Sequence, residues 1–464
     1  MKHNILKLGY LLLGLLAVLV IYLSYMQLYR GPALADNPYN RRYQEYEAQV
    51  RRGTIYDTKG AALAKSDYSQ SKNRRVYPAG QNTAQIIGYI NERYGRAGLE
   101  SAYDRNLLGM EGADRFRNLL NRLLGREQLG GDVTLTLDSA LQKLAMDLLG
   151  GRRGAVVLLD PRTGAVRVMA SSPSYDPNRL EDIWPQLLQD PQAPLINRAT
   201  QGAYPPGSTF KIITAAAALA TDLSLAEKRF DCPGYLVVNG FKLDDTAAHG
   251  EVDLTRALAV SCNTTFAQLG LIAGAEGFQR AVKAFGLLQE PPVGIPARAG
   301  TMAAAGAMTP TELASSAIGQ GEVLVSPLQM ALSAAAIANR GIIMQPYLVD
   351  TVKDSLGTTV KQQVARTWLT ATTPEIAEKI KAGMTSAVKN GTAQAAAVSG
   401  MQVAGKTGSA QNPQGQTHAW FIGFAPSDQP RLAVAVVLEN AGSGGAVAAP
   451  VAGSLLAAAV AAGY

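Results

Sequence analysis

The chain reads as an α+β protein: one antiparallel sheet flanked by helices, carried behind a smaller N-terminal module and a single membrane-spanning helix. Three observations predict this. Residues 8–29 carry no charged side chain and are long enough to cross a bilayer. From Gly154 the texture changes, with two strand-like runs at the start of the remaining chain and three near its end. Between them an Ala-rich stretch, about Ile212 to Ala338, reads as several helices. Strands from both ends with helices from the middle place the two ends of that domain in one sheet.

The anchor comes first. Lys2 and Lys7 precede the apolar run, so the positive-inside rule puts the N-terminus in the cytoplasm and the bulk outside. Ala33-Leu34-Ala35 matches a small-x-small cleavage site, but the apolar core exceeds the roughly 7–15 residues of a signal peptide, so a retained anchor is expected. The division is then 1–30 for the cytoplasmic tip and anchor, 31–152 for a pedestal module, and 153–464 for the large domain.

In the pedestal, Arg52 to Gly60 followed by Ala61 to Ala64 reads as strand, turn, strand. Asp114 to Gly125 fits a helix, Gly131 to Asp138 alternates like a strand, and Ser139 is placed to cap a helix through Leu149. In the large domain, Ala155–Leu159 and Val166–Ala170 flank the hairpin turn Asp160-Pro161-Arg162-Thr163-Gly164. Val403–Ala410, Ala419–Phe424 and Leu432–Leu438 are the later strands, and Ala448–Ala462 is a closing helix.

Bulk numbers exclude several classes. With 464 residues, 47% hydrophobic and 17% charged, the chain is neither disordered nor collagen-like. The net charge of +7 is modest. Arginine pairs at 41–42, 51–52 and 74–75 lack the interleaved aromatics of a nucleic-acid surface and read as a solvated basic module, with anionic lipid or wall polymer as the alternative. Cys232 and Cys262 show no CxxC spacing, and His3, His249 and His418 form no HxxxH pair. No metal site and no cofactor are expected from that spacing. Whether the cysteines pair as a disulfide or stay as buried thiols is open.

The chemistry gathers around Tyr204-Pro205-Pro206-Gly207-Ser208-Thr209-Phe210-Lys211, which leads straight into an apolar helix. Positions i and i+3 share a helix face, so Lys211 is expected beside the Ser208 hydroxyl. S-x-x-K alone is weak: Ser69-Gln70-Ser71-Lys72 also fits, although in a polar stretch. Two further elements change its weight. Ser261-Cys262-Asn263 supplies S-x-N, and Lys406-Thr407-Gly408-Ser409 supplies K-T-G on a predicted strand. Lys389-Asn390-Gly391-Thr392 reads instead as a helix end.

Each residue has a chemical task. Ser208 attacks a carbonyl carbon, with Lys211 or a lysine–serine pair taking its proton. Ser261 relays a proton to the leaving amine, and Asn263 offers donor and acceptor to a substrate amide. Lys406 and Thr407 suit a carboxylate, Gly408 leaves room along the strand, and the Ser208 and Ser409 N–H groups suit an oxyanion. Cys262 reads as packing rather than nucleophile, and the chain contains no G-x-S-x-G elbow for a Ser-His-Asp site.

Taken together, these motifs resemble the monofunctional (class B) penicillin-binding proteins, and the similarity covers nearly the whole chain. Arg52-Gly53-x-Ile55-x-Asp57-x-x-Gly60 is similar to that family's pedestal signature, as are Tyr77-Pro78-x-Gly80, Ile87-Gly88-Tyr89 and Gly98-Leu99-Glu100. Gly154–Val157, Ser172-Pro173-Ser174-Tyr175-Asp176-Pro177-Asn178 and Asn197-Arg198-Ala199 look like the start of its transpeptidase domain. The short pedestal is most similar to the penicillin-binding protein A group, for which a dimerisation role is implied.

The resemblance implies the penicillin-binding, serine β-lactamase-like transpeptidase fold with its five-stranded sheet. It implies a peptidoglycan D,D-transpeptidase acting on stem peptides ending in D-Ala-D-Ala and inhibited by β-lactam antibiotics. It also implies a partner membrane glycosyltransferase of the shape, elongation, division and sporulation family, since the pedestal is too short for a second catalytic domain. Ser409-Ala410-Gln411 departs from the Thr-Ala of many relatives. Rival readings are D,D-carboxypeptidase, β-lactamase, a β-lactam sensor or a non-catalytic scaffold.

Overall fold

The computed structural model describes residues 2–31, 41–67, 74–413 and 415–464. The Ser69–Lys72 pattern and the Ala33–Ala35 segment lie outside them. Helix α1 (Lys2–Tyr25) continues through a π turn to Arg30, and its apolar window contains no buried residue. Its 28-residue span is about 42 Å long at 1.5 Å per residue, more than the ~30 Å hydrocarbon core.

The pedestal strands are β1 (Ile55–Tyr56), β2 (Ala62–Asp67) and β3 (Arg74–Val76); helix α2 (Gly112–Leu123) and strand β4 (Val133–Leu135) follow. They form a six-stranded sheet whose other two strands, Val349–Lys353 and Thr359–Gln362, return from far along the chain. Residues drawn at 31–152 therefore share a sheet with part of 153–464. The arginine pairs at 51–52 and 74–75 are not simply a solvated surface. Arg52 and Arg75 close on the fully buried Glu100 at 2.8 and 2.6 Å, and Arg52 also meets Asp104 at 2.6 Å. Burial disfavours the charge on Glu100, but Arg75 and Arg52 outweigh it and hold its carboxyl below the usual range.

Helix α3 (Ser139–Leu149) is capped by Asp138 rather than by Ser139: the Asp138 side chain accepts from the Ala140 and Leu141 N–H groups. Ser139 is the first helical residue, and its hydroxyl donates to Asp57. The helix packs on the large sheet. That sheet is built from β5 (Gly154–Leu159) and β6 (Val166–Ser172) at the start of the domain. The Ala-rich middle gives α4 (Lys211–Thr221), α5 (Leu254–Val260), α6 (Asn263–Ala284) and α7 (Pro327–Ala338), then α8 (Pro374–Asn390). It also contains two short strand pairs, Phe230–Cys232 with Gly250–Val252 and Tyr235–Val238 with Phe241–Asp244, too brief for alternation to reveal. Strands β7 (Ala404–Ala410), β8 (His418–Ala425) and β9 (Leu432–Leu438) and helix α9 (Gly444–Ala461) complete the domain.

The five strands run antiparallel in the order β6-β5-β9-β8-β7. Both faces are buried, and side chains divide between them with the period of two that a pleated strand imposes. Val157, Leu159, Ala435, Val437, Trp420 and Ile422 face the core shared with α4, α6 and α7. Val156, Leu158, Val434, Val436 and Phe421 face α3 and α9. Tyr77 and Asn178 exchange two hydrogen bonds of 2.9 Å, joining the pedestal to the large domain. Strand β7 forms the edge of this sheet.

Candidate active site

Helix α4 is entered through a 3-10 turn, Gly207–Phe210, that carries Ser208. Three contacts fix the turn. The Gly207 N–H donates to the Gly319 carbonyl at 2.9 Å, the Thr209 hydroxyl to Pro206 at 2.7 Å, and the Trp420 indole to Pro205 at 3.0 Å. Gly207 has φ +53°, a conformation that glycine takes without penalty. Edge strand β7 presses on the same turn: a Cβ on Gly408 would lie 2.9 Å from the Pro206 carbonyl oxygen. Ser208 is half-buried, and among the described residues its hydroxyl makes no hydrogen bond.

Lys211 is the first residue of α4 and is completely buried. The expectation placed it on the helix face of Ser208; its hydrogen bonds go to the S-x-N turn. Its Nζ donates to the Ser261 carbonyl at 2.5 Å, to Asn263 Oδ1 at 2.7 Å and to Ser261 Oγ at 3.2 Å. An ammonium has three donors, and these stronger acceptors on the neighbouring element take them. Lys406, equally buried on β7, donates to the same Ser261 Oγ at 2.8 Å and to the Thr407 carbonyl at 3.0 Å. Two lysines from distant parts of the chain thus share one serine hydroxyl.

The backbone explains how Ser261 reaches both. It ends α5 in the left-handed conformation (φ +64°), and its neighbour Cys262 caps α6 by accepting from the Thr265 N–H. Asn263 opens α6 and donates to the Asp244 carbonyl at 3.1 Å. Thr407 Oγ1 bonds Thr392 Oγ1 at 2.8 Å, and Ser409 Oγ accepts from the Gly444 N–H at the start of α9. Thr392 is a site neighbour that sequence motifs missed: it follows the α8 end as read, but nothing local signals its partner. His418 opens β8 and accepts from the Asn440 N–H, away from this hydrogen-bonded cluster.

Electrostatics follow from burial. Desolvation pulls Lys211 down to about 8, against the opposing pull of the Asp245 charge. Desolvation, then the Lys211 charge, brings Lys406 well below the ordinary lysine value. The pair therefore offers an amine lone pair near neutral pH, beside a hydroxyl that can pass a proton. Asp245 itself accepts several N–H groups and is held near 2 despite its burial. The fold also brings Cys232, Asp245, His249 and Cys262, which chain spacing did not group, together behind Ser261 and Asn263.

Comparison with known proteins places this geometry. Residues 154–457 match the penicillin binding protein transpeptidase domain, and residues 52–133 the penicillin binding protein A dimerisation domain. The chain is 36% identical to the peptidoglycan D,D-transpeptidase PbpA of Mycolicibacterium smegmatis, over 99% of both chains. It is 31% identical to the peptidoglycan D,D-transpeptidase MrdA of Acinetobacter baumannii, over 82% of this chain and 65% of that one. The ceftriaxone acyl-enzyme structure of penicillin-binding protein A from M. tuberculosis superposes with a TM-score of 0.84 at 35% identity, covering 90% of this chain and 99% of that one. With its S-x-x-K, S-x-N and K-T-G residues drawn to one face of the edge strand, the chain belongs to the penicillin-binding protein transpeptidase family.

Proposed function

We infer that this chain is a peptidoglycan D,D-transpeptidase that works through a serine acyl-enzyme. The observation that carries the reading is the convergence of Lys211 and Lys406 on the Ser261 hydroxyl, at 3.2 and 2.8 Å, next to the turn that presents Ser208. A stem peptide lies along the edge of β7, adding its backbone to an edge with free hydrogen-bonding groups. Its terminal carboxylate meets Lys406 and Thr407, and its amide meets Asn263. Ser208 Oγ attacks the penultimate D-Ala carbonyl carbon while its proton passes to the amine of Lys211, which must first be neutral. The oxyanion is held by the Ser208 and Ser409 N–H groups, a contribution of about 3–4 kcal/mol per donor at such sites.

Collapse of that intermediate breaks the D-Ala-D-Ala bond, and the proton returns through Lys211 and Ser261 to the leaving amine. An amine from a second stem peptide then takes the acyl group and releases Ser208. A β-lactam follows the first half of this path and acylates Ser208. The apolar helix α1 anchors the enzyme with its catalytic domain outside the membrane, where nascent peptidoglycan is found. The pedestal pairs two copies of the chain or, with the anchor, docks a membrane glycosyltransferase that supplies the glycan strand.

Fluorescent penicillin labelling of wild type and Ser208→Ala tests the nucleophile. Label retained on the alanine variant refutes it. Incubation with a D-Ala-D-Ala stem peptide, with and without an acceptor amine, then separates transfer from hydrolysis. Release of D-Ala without any amide product in the presence of acceptor makes the enzyme a carboxypeptidase instead.

A further inference from the structure

One helix of the pedestal is turned inside out. A surface helix ordinarily hides its apolar stripe and shows its polar one. Helix α2 does the reverse. Phe116, Leu119, Leu120 and Leu123, with Leu124 just after the helix, are between 56% and 75% exposed. At about 3.6 residues per turn they fill one arc of about 140°. The buried positions are polar instead. Asp114 accepts the Ser355 N–H at 2.9 Å and the Ser355 hydroxyl at 2.6 Å. The Asn118 amide donates to the Leu129 carbonyl at 2.8 Å and the Gly109 carbonyl at 3.2 Å, and accepts the Leu129 N–H at 3.0 Å. Rotating the helix to hide its leucines would strip these buried groups of partners, so the apolar face is held outward.

Charge and chain course narrow what covers this face. Arg115 and Arg122 lie along one edge of the apolar arc and Arg117 along the other, and the only acid on the helix is the buried Asp114. Packing the face on a second copy would set arginine edge against arginine edge with no acid between them. An apolar stripe bordered by arginines is instead the pattern of a helix lying in a membrane interface. The chain also holds α2 near a bilayer. Nine residues, 32–40, separate the end of the anchor helix at Gly31 from the helix Arg41–Gln49, a reach of at most about 36 Å. In that helix the Tyr46 hydroxyl donates to the Leu108 carbonyl at 3.2 Å and accepts from Asn118 of α2 at 3.5 Å. The next residues, Val50 and Arg51, pair with Gln128 and Leu129, close behind α2. Helix α2 therefore sits at the anchor's end of the pedestal.

We propose that α2 lies in the outer headgroup region of the bilayer that α1 crosses, with its leucines and Phe116 immersed and its arginines on lipid phosphates. This rests on α1 being a retained anchor. A helix of 12 residues binds a membrane weakly by itself. The anchor makes the contact intramolecular, so a weak surface helix is held down by its high local concentration. Two points of attachment, α1 and α2, then fix how the pedestal stands on the membrane, which one flexible tether cannot do.

The full chain is reconstituted into vesicles of phosphatidylglycerol and phosphatidylethanolamine, with a nitroxide on a cysteine introduced by Leu120→Cys, Lys143→Cys or Val18→Cys. All three positions are exposed, so the core is untouched, and the buried native cysteines make wild type the labelling background. Collisions with oxygen, which concentrates in lipid, are compared with collisions with a water-soluble nickel chelate. The Val18 and Leu120 labels are expected on the oxygen side and the Lys143 label, on α3, on the nickel side. Arg115→Glu together with Arg122→Glu weakens the contact about tenfold or more and moves the Leu120 label to the nickel side. A Leu120 label as open to nickel as the Lys143 label overturns the proposal. Dipolar coupling between Leu120 labels on two chains also overturns it, by putting a second copy on the face. A Val18 label on the nickel side removes the anchor, and the proposal with it. None of these readings depends on acyl transfer.

Discussion

Ser261 carries two separable burdens, and a pair of substitutions pulls them apart. Its backbone sits at φ +64°, where a residue with a Cβ costs about 1–2 kcal/mol relative to glycine. Its hydroxyl accepts from Lys406 at 2.8 Å and from Lys211 at 3.2 Å. Ser261→Ala keeps the backbone strain and removes the hydroxyl, leaving two buried amines each short of an acceptor, at about 1–3 kcal/mol. Ser261→Gly removes the hydroxyl too but relieves the strain, less the added freedom of glycine in the unfolded chain. The glycine variant should therefore be more stable than the alanine variant by about 1 kcal/mol. Both should lose acylation equally, by about 100-fold or more, since a positioned proton-transfer group contributes about 10²–10⁴. Urea denaturation of the catalytic domain and the second-order rate of penicillin acylation read the two effects. Equal midpoints for glycine and alanine refute the strain argument. Acylation within about threefold of wild type refutes the relay, because an idle hydroxyl leaves the 10²–10⁴ range untouched.

Three other perturbations test the site and its support. Lys211 is pulled by burial to about 8 and accepts a proton only when neutral, so acylation should rise with pH through about 8 and level off above it; a rate that falls over that range contradicts the lysine base. Gly319→Ala puts a Cβ onto the Gly207 carbonyl oxygen, 2.8 Å from its carbon, at φ +77°, and should destabilise by about 2 kcal/mol or more while slowing acylation; normal acylation would mean the Ser208 turn does not depend on that contact. Glu100→Gln leaves Arg52 and Arg75 buried with one charge missing and should cost about 3–5 kcal/mol in the pedestal's unfolding transition, with a shift under about 1 kcal/mol refuting it. Because the folded Glu100 value lies below the unfolded one, this contribution is present above the ordinary glutamate value and lost as pH falls through the lower, folded value.

What the sequence made legible is whatever a short contiguous segment determines. The β5–β6 hairpin follows from a five-residue turn between two apolar runs, and the five-stranded sheet from runs of period two. Ser208, Ser261, Asn263, Lys406 and Thr407 announced themselves because each sits in a three- or four-residue motif whose backbone setting can be guessed. Partnerships across the fold were not legible. Helix geometry put Lys211 on the face of Ser208 but could not say which acceptors its amine takes, and these lie on the turn after α5. Thr392 reaches Thr407 only because α8 ends against β7, and Arg52 meets Glu100 only when the pedestal closes.

The same limit explains the cysteines. Spacing of 30 residues between Cys232 and Cys262, with one histidine between them, matches no ligand pattern along the chain. Two short strand pairs, neither predicted and one nested inside the other, fold that interval back on itself and set both sulfurs beside Asp245 and His249. The turn they surround has a left-handed serine at its centre, a conformation that relaxes unless its neighbours are held. Lysines from α4 and β7 hold it from one side by hydrogen bonds to its hydroxyl. Asp245 holds it from the other, where one carboxylate oxygen accepts the Thr264 N–H at 2.8 Å and faces the Cys262 sulfur at 3.2 Å, so the acyl-transfer site and the buried acid are two faces of one restrained turn.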